Sequence, residues 1–237
     1  MTSRVLLAVA LMSLAATTSV RAGATANADP TSEYLRLVIL GASYAKSWGT
    51  PPLPGYTVIN RGVGGQQTGQ MRARFQADVI EAQPAAVLIW GHINNITQSN
   101  LAGAAPERVA TILSAARSDY AAMVGAARGA GISVILATEI PLAEPAGLLN
   151  EIRALIGRFL GRQSYSDKVN AHVRELNAFL RQFAAREKLR VLDFEKVLAP
   201  DGGARRPEYA TDDLSHVTPA GYEALWTYAG AVAKTWH

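Results

Sequence analysis

Five short apolar runs punctuate the chain, at 35–40, 56–59, 86–90, 132–137 and 190–194. Between most of them lie segments with apolar residues at helical spacing: 68–82, 105–129, 166–188 and 218–235. A strand that alternates with a helix returns the chain to the same sheet edge each time. The pattern therefore predicts an α/β fold, a parallel sheet covered by helices on both faces. Several of the runs end in Gly, Asn or Asp, and open α/β sheets bind their ligands at the carboxyl ends of the strands. The functional residues are expected there.

The first residues follow a different logic. Arg4 precedes an apolar run from Val5 to Ala16, broken only by Ser13. Small residues follow, with candidate cleavage sites after Ala22 and after Ala28. This is the layout of a secretory signal peptide, and the run is too short to span a bilayer comfortably. Residues 1–28 are expected to be removed, leaving 29–237 as one domain in the periplasm or outside the cell, with no stable membrane insertion; an uncleaved N-terminal anchor is the alternative. Removal takes Arg4 and Arg21 and no acid. Lys+Arg falls from 23 to 21 against 19 Asp+Glu, a formal charge of about +2. The remaining basic residues are spread along helices without interleaved aromatics, which excludes a nucleic-acid partner. Arg205-Arg206 is the basic pair past the leader, in a loop-like segment. The chain has no cysteine, so neither a Cys nucleophile nor a Cys-based metal site is available. An exported chain of this kind relies on its core rather than on disulfides.

Ser43 follows directly on the first apolar run, between small residues, in Gly41-Ala42-Ser43. A serine there either caps a turn or is a nucleophile held at a strand end, and a neutral hydroxyl needs a base. Of the four histidines, His237 is terminal and His172 sits among charged residues of a helix. His92 follows the third strand. His216 lies three residues after Asp213, in Asp213-Leu214-Ser215-His216, just before Thr218-Pro219 opens the last helix. On a tight turn that spacing lets a carboxylate hold Nδ1 and leave Nε2 free to take a proton. Two further segments supply hydrogen-bond donors. Asn60-Arg61-Gly62-Val63-Gly64-Gly65 exposes backbone N–H groups suited to an anion or a developing oxyanion, with a glycine-rich turn needed only for chain reversal as the alternative. Gly91-His92-Ile93-Asn94-Asn95 offers side-chain amides. The glycine segment lacks the Lys of a phosphate loop, which argues against nucleotide binding.

These four blocks, in this order, resemble the SGNH (GDSL-type) hydrolase family over essentially the whole mature chain. The resemblance implies a three-layer α/β/α sandwich with a five-stranded parallel sheet, flavodoxin-like, and ester hydrolysis with no cofactor and no metal. It implies Ser43 as nucleophile, His216 as general base and acid, and Asp213 as the group that orients His216. It implies an oxyanion hole from the Ser43 N–H, the Gly65 N–H and the Asn94 side chain. Three departures stand out. Ala42 and Asn95 occupy positions where the family usually has Asp. The third block has one more residue between Gly91 and Asn94 than the common form, so Asn94 and Asn95 both compete for the inward position, with Asn94 preferred.

The implied activity is that of a serine esterase or acylhydrolase, through an acyl-enzyme, on a small-molecule or glycan ester. The same triad would serve acyl transfer or deacetylation on a cell-envelope polysaccharide, and a non-catalytic carbohydrate-binding relative would keep the fold. An α/β-hydrolase elbow fits less well, because Gly41-Ala42-Ser43-Tyr44-Ala45 lacks the final glycine. Tyr44, Trp48, Trp90 and His92 are candidate substrate contacts near the strand ends, with loop packing as the alternative. Residues 148–163 place Leu148, Leu149, Ile152, Leu155, Ile156, Phe159 and Leu160 on one helical face. Core packing is the preferred reading, a lid or interfacial helix the other.

Overall fold

The computed structural model describes residues 34–145, 147, 152, 156, 159–200 and 202–236. Five strands, β1 Leu35–Gly41, β2 Tyr56–Gly62, β3 Ala86–Trp90, β4 Ser133–Ala137 and β5 Arg190–Leu192, form one sheet in the order β2-β1-β3-β4-β5. Every pairing is parallel. The expected three-layer α/β/α, flavodoxin-like architecture is what the chain adopts.

Alternate residues of the strands supply two separate apolar layers, as the period of two requires. Leu37, Ile39, Leu88, Trp90, Ile135 and Ala137 face one layer. Val38, Leu40, Val87, Ile89, Val134 and Leu136 face the other. Helix α1 (Ser43–Trp48) and helix α7 (Pro219–Ala233) pack into the first layer through Tyr44, Ala45, Trp48, Leu225 and Ala229. Helices α2 (Thr68–Ala73) and α4 (Pro106–Gly129) pack into the second through Met71, Tyr120, Met123 and Val124. Helix α5 (Tyr165–Glu187) feeds both, Val169, Val173 and Leu176 on one side, Leu180 and Phe183 on the other.

The sequence dictates several boundaries. Ser164 caps α5 in a reciprocal box, its hydroxyl accepting the Asp167 N–H while the Asp167 carboxylate accepts the Ser164 N–H. Thr218 caps α7 by accepting the Gly221 N–H, with Pro219 at the first helical position. Two short helices escaped the periodicity: α1 and α3 (Ile93–Thr97) each begin within three residues of a strand end. The expected helix at 68–82 is broken as well, α2 giving way to a π-helical turn at Gln76–Ile80. A final short helix, α6, covers Phe194–Leu198.

The core-packing reading of 148–163 needs correction. Ile152, Ile156, Phe159 and Leu160 are exposed, Phe159 by 90%. Leu148, Leu149 and Leu155 lie outside the described residues, as does the N-terminal leader. Helical periodicity marks an apolar face but carries no information on what covers it.

Candidate active site

The strand register assembles the site before any side chain is considered. Gly41 pairs with Gly62 across β1 and β2, and with Trp90 across β1 and β3. The three strands therefore end side by side, and the segments carrying Ser43, Gly65 and Asn94 leave from one edge. Two glycines permit the close packing. A Cβ on Gly41 would stand 2.3 Å from the Trp90 carbonyl oxygen, and one on Gly62 would stand 2.2 Å from the Lys46 nitrogen. Gly62 thus lets α1 lie directly over the end of β2. Ala42 is buried between Gly91 and the Trp90 carbonyl, to which its N–H donates at 3.3 Å.

Ser43 is the first residue of α1. The glycine loop is held against α3: the Asn94 Nδ2 donates to the Gln66 carbonyl at 2.9 Å, and the Gln98 Nε2 donates to the Gly65 carbonyl at 2.6 Å. Gly65 has φ of +78°, a conformation open to glycine, and its position is set by that contact. Arg74 ties the same loop to β1 by donating to Gln66 Oε1 at 2.7 Å and to the Gly41 carbonyl at 3.1 Å.

The adjacent amides divide their work. Asn95 is buried, its Oδ1 accepting the Thr68 N–H at 3.1 Å and its Nδ2 donating to Thr68 Oγ1 at 3.0 Å. It fastens α3 to the start of α2. Asn94 is half-buried and lies on the glycine-loop side. Below them Glu139, fully buried after β4, accepts the His92 N–H at 2.7 Å and the Ile93 N–H at 3.1 Å on one oxygen. Its own backbone is fixed by Asn177, which donates to its carbonyl and accepts its N–H. Burial pushes the Glu139 carboxyl upward, and the N–H groups at the start of α3 only partly offset that.

Asp213 and His216 form the tightest cluster. Asp213 Oδ2 lies 2.5 Å from His216 Nδ1. Asp213 Oδ1 accepts the His216 N–H at 2.8 Å, the Ser215 N–H at 2.9 Å and the Thr211 hydroxyl at 2.7 Å. Partial burial opposes ionisation of Asp213, but these hydrogen bonds, His216 first, outweigh it and hold the carboxyl well below its usual range. An ionised carboxylate at Nδ1 selects the tautomer protonated there and leaves Nε2 as an acceptor. Among the described residues no hydrogen bond joins Ser43 to His216. Their two segments meet one residue along, where the Tyr44 hydroxyl donates to the Ser215 carbonyl at 2.6 Å.

Residues 24–224 match the GDSL-like lipase/acylhydrolase family. The chain belongs to that family. As a GDSL-like acylhydrolase it is an ester-type hydrolase. Among solved structures, a candidate acylhydrolase from Bacteroides fragilis is 27% identical, covering 88% of this chain and 89% of its own, with a TM-score of 0.64. A GDSL-like lipase from Bacteroides thetaiotaomicron is 22% identical, covering 89% of this chain and 93% of its own, with a TM-score of 0.63. A lipase/acylhydrolase from Enterococcus faecalis is 20% identical, covering 85% of this chain and 96% of its own, with a TM-score of 0.56. No curated protein matches the chain.

The GDSL-like site differs from the sequence expectation in its aromatic residues. Tyr44, Trp48, Trp90 and His92 are all buried. Trp48 and Trp90 meet edge to face at 5.7 Å and both pack on Phe194. Tyr44 tilts against Trp90 at 5.9 Å. His92 lies edge-on to Tyr120, and burial lowers its pKa from 6.5 to about 3. These four residues pack the floor under the strand ends and present almost no accessible surface to a substrate. Aromatic residues at strand ends have the same sequence signature in either role. The sequence marked Arg205 only as half of a basic pair in a loop-like segment and did not mark Glu139; both are buried ionisable groups held by backbone groups of other segments, for which no local pattern exists. His172 stands 3.9 Å from Glu175 on α5, away from the Asp213 cluster, and His237 lies outside the described residues.

Proposed function

We propose that this chain is a serine esterase or acylhydrolase that cleaves carboxylic esters through an acyl-enzyme on Ser43. The observation that carries the reading is the Asp213–His216 pair, in which the carboxylate occupies Nδ1 and leaves Nε2 free. In the first half-reaction His216 Nε2 takes the Ser43 proton as Oγ attacks the acyl carbon. The proton then passes to the leaving alcohol as the ester C–O bond breaks. In the second half-reaction water attacks the acyl carbon, losing a proton to His216, and His216 then returns that proton to Ser43 Oγ as the acyl–Oγ bond breaks and the carboxylic acid leaves. The oxyanion of each tetrahedral intermediate would accept from the Ser43 and Gly65 N–H groups and the Asn94 amide.

The reading extends to place. The apolar run from Val5 to Ala16 and the small residues after it support export of the mature chain, residues 29–237, to the periplasm or medium. Among the described residues no helix is long and apolar enough to cross a membrane.

The test is hydrolysis of p-nitrophenyl acetate and longer p-nitrophenyl esters by the mature chain, with Ser43→Ala and His216→Ala alongside. Turnover is expected in the parent and loss of more than about a thousandfold in each variant. Retained turnover in folded Ser43→Ala would sink the nucleophile assignment. The dependence on acyl length would report the space available beside Ser43.

A further inference from the structure

Arg205 is 1% exposed, one of the most thoroughly buried ionisable side chains among the described residues. Among the described residues no carboxylate pairs with it. Its guanidinium goes instead to backbone carbonyls. Nη1 donates to the His216 carbonyl at 2.8 Å, and Nη2 to the Ser215 carbonyl at 2.6 Å and the Leu214 carbonyl at 3.4 Å. Nε donates to the Pro141 carbonyl at 3.1 Å, beyond the end of β4. One planar fork therefore ties three consecutive carbonyls of the Asp213–His216 turn to the sheet edge. A buried guanidinium is costly unless its N–H groups are satisfied, and these carbonyls satisfy it.

Two further observations bear on the same turn. Leu214, between Asp213 and His216, has φ of +61°. A leucine holds a left-handed conformation only where its surroundings impose it. Here its carbonyl accepts from Arg205 and from the Ala143 N–H at 3.0 Å. Second, Arg205 Nη2 also donates to the Tyr44 hydroxyl at 3.3 Å, and that hydroxyl donates to the Ser215 carbonyl. Tyr44 directly follows Ser43 on α1. The guanidinium thus stands at the point where the nucleophile's helix meets the histidine's turn.

We infer that Arg205 is a positioning residue for His216, and that Tyr44 relays its hold to the helix that Ser43 opens. The inference rests on the reading of Ser43, His216 and Asp213 as the esterase triad. Asp213 fixes the imidazole from its Nδ1 side, and Arg205 fixes the backbone that carries it. Without that hold the left-handed conformation at Leu214 is no longer imposed, and the imidazole loses the fixed orientation that the triad reading requires. A displacement of about 1 Å costs on the order of a hundredfold in rate. Lysine cannot replace the fork, because its single ammonium cannot span the Pro141 carbonyl and the turn together.

The experiment compares the parent with Arg205→Lys, Arg205→Ala, Tyr44→Phe and Ser43→Ala. It measures kcat and KM on p-nitrophenyl acetate, the rate of Ser43 labelling by a fluorophosphonate, and thermal unfolding, all assayed well below each melting temperature. In Arg205→Lys and Arg205→Ala, kcat is expected to fall roughly a hundredfold with KM within about twofold, and labelling to slow in parallel. Added guanidinium ion should restore part of kcat in Arg205→Ala and none in Ser43→Ala. Tyr44→Phe should lose roughly tenfold in kcat. A folded Arg205→Ala with the parent's kcat overturns the inference, even if its melting temperature falls. If Arg205→Ala does not fold, Tyr44→Phe decides: parental kcat there overturns it. Full turnover in Ser43→Ala instead overturns the triad reading, and the positioning role with it.

Discussion

At the scale of single residues, the Asp213 carboxylate carries the sharpest expectation. It accepts hydrogen bonds from its own turn on one oxygen and faces His216 with the other. Asparagine at this position keeps the size but can place an N–H where Nδ1 needs an acceptor. The imidazole would then be driven to the tautomer protonated at Nε2, which cannot take the Ser43 proton. Asp213→Asn should lower kcat by up to roughly ten-thousandfold with little change in KM. Full activity in that variant would assign the orienting role to another acid. The pH behaviour follows from the depressed carboxyl. A carboxylate whose folded value lies below 3.8 contributes stability that is present above 3.8 and lost as pH falls through the folded value. Asp213 is therefore ionised throughout the neutral and mildly acidic range. A loss of activity between neutrality and pH 4 would arise from a group other than Asp213.

At the scale of elements, α3 shows how two neighbouring amides take different tasks. Its first turn is anchored from below by Glu139, and Asn95 binds it to Thr68 at the start of α2. Asn94 is left toward the glycine loop. Asn94→Ala is expected to lower kcat by about a hundredfold or more, the usual effect of losing one oxyanion donor, with melting temperature close to the parent's. Asn95→Ala should do the reverse. It leaves the buried Thr68 N–H without its acceptor, which costs about 1–3 kcal/mol of stability. Kinetics and thermal unfolding of the two variants side by side are the check. An equal loss of kcat with no loss of stability in Asn95→Ala would exchange the roles. The sequence held the blocks but not this division. An extra residue between Gly91 and Asn94 changes which amide faces the loop, and the choice depends on a helix of five residues, too short to show a period. The same brevity hid α1. Long α4 and α5 were legible because their apolar residues recur over many turns. The segment at 148–163 was legible as amphipathic, yet Ile152, Ile156, Phe159 and Leu160 point to solvent. Their spacing is equally consistent with a face that meets a core and one that does not.

At the scale of the whole molecule, the sheet separates what is exposed to chemistry from what supports it. Asp213 and His216 are about half exposed, whereas Glu139, Arg205, His92 and Tyr120 lie buried beneath the strand ends. The alternation of runs and helices predicted the parallel sheet, and topology alone fixes where parallel strands end. It did not reveal the buried polar layer, whose partners are brought together by β4, α5 and the loop at 205 from distant parts of the chain. That layer has a consequence for acid stability. His92 is held neutral in the fold, its pKa lowered from 6.5 to about 3 chiefly by burial. On unfolding it returns to 6.5 and binds a proton. Its contribution is therefore complete above pH 6.5 and is lost as pH falls from 6.5 toward 3, by several kcal/mol in order of magnitude. Glu139 acts with the opposite sign, because its raised carboxyl favours the fold as pH drops through the range above 4.5. The parent's profile is a sum of these effects, so the informative quantity is a difference. His92→Gln removes the titrating ring and keeps a polar group near Tyr120. Between pH 7 and pH 4 the parent's melting temperature should fall more steeply than that of His92→Gln. Parallel profiles would mean that acid opens the molecule elsewhere, for example at Asp193, whose carboxylate pairs with Arg181 of α5 just before α6 and is held below its ordinary range by that guanidinium.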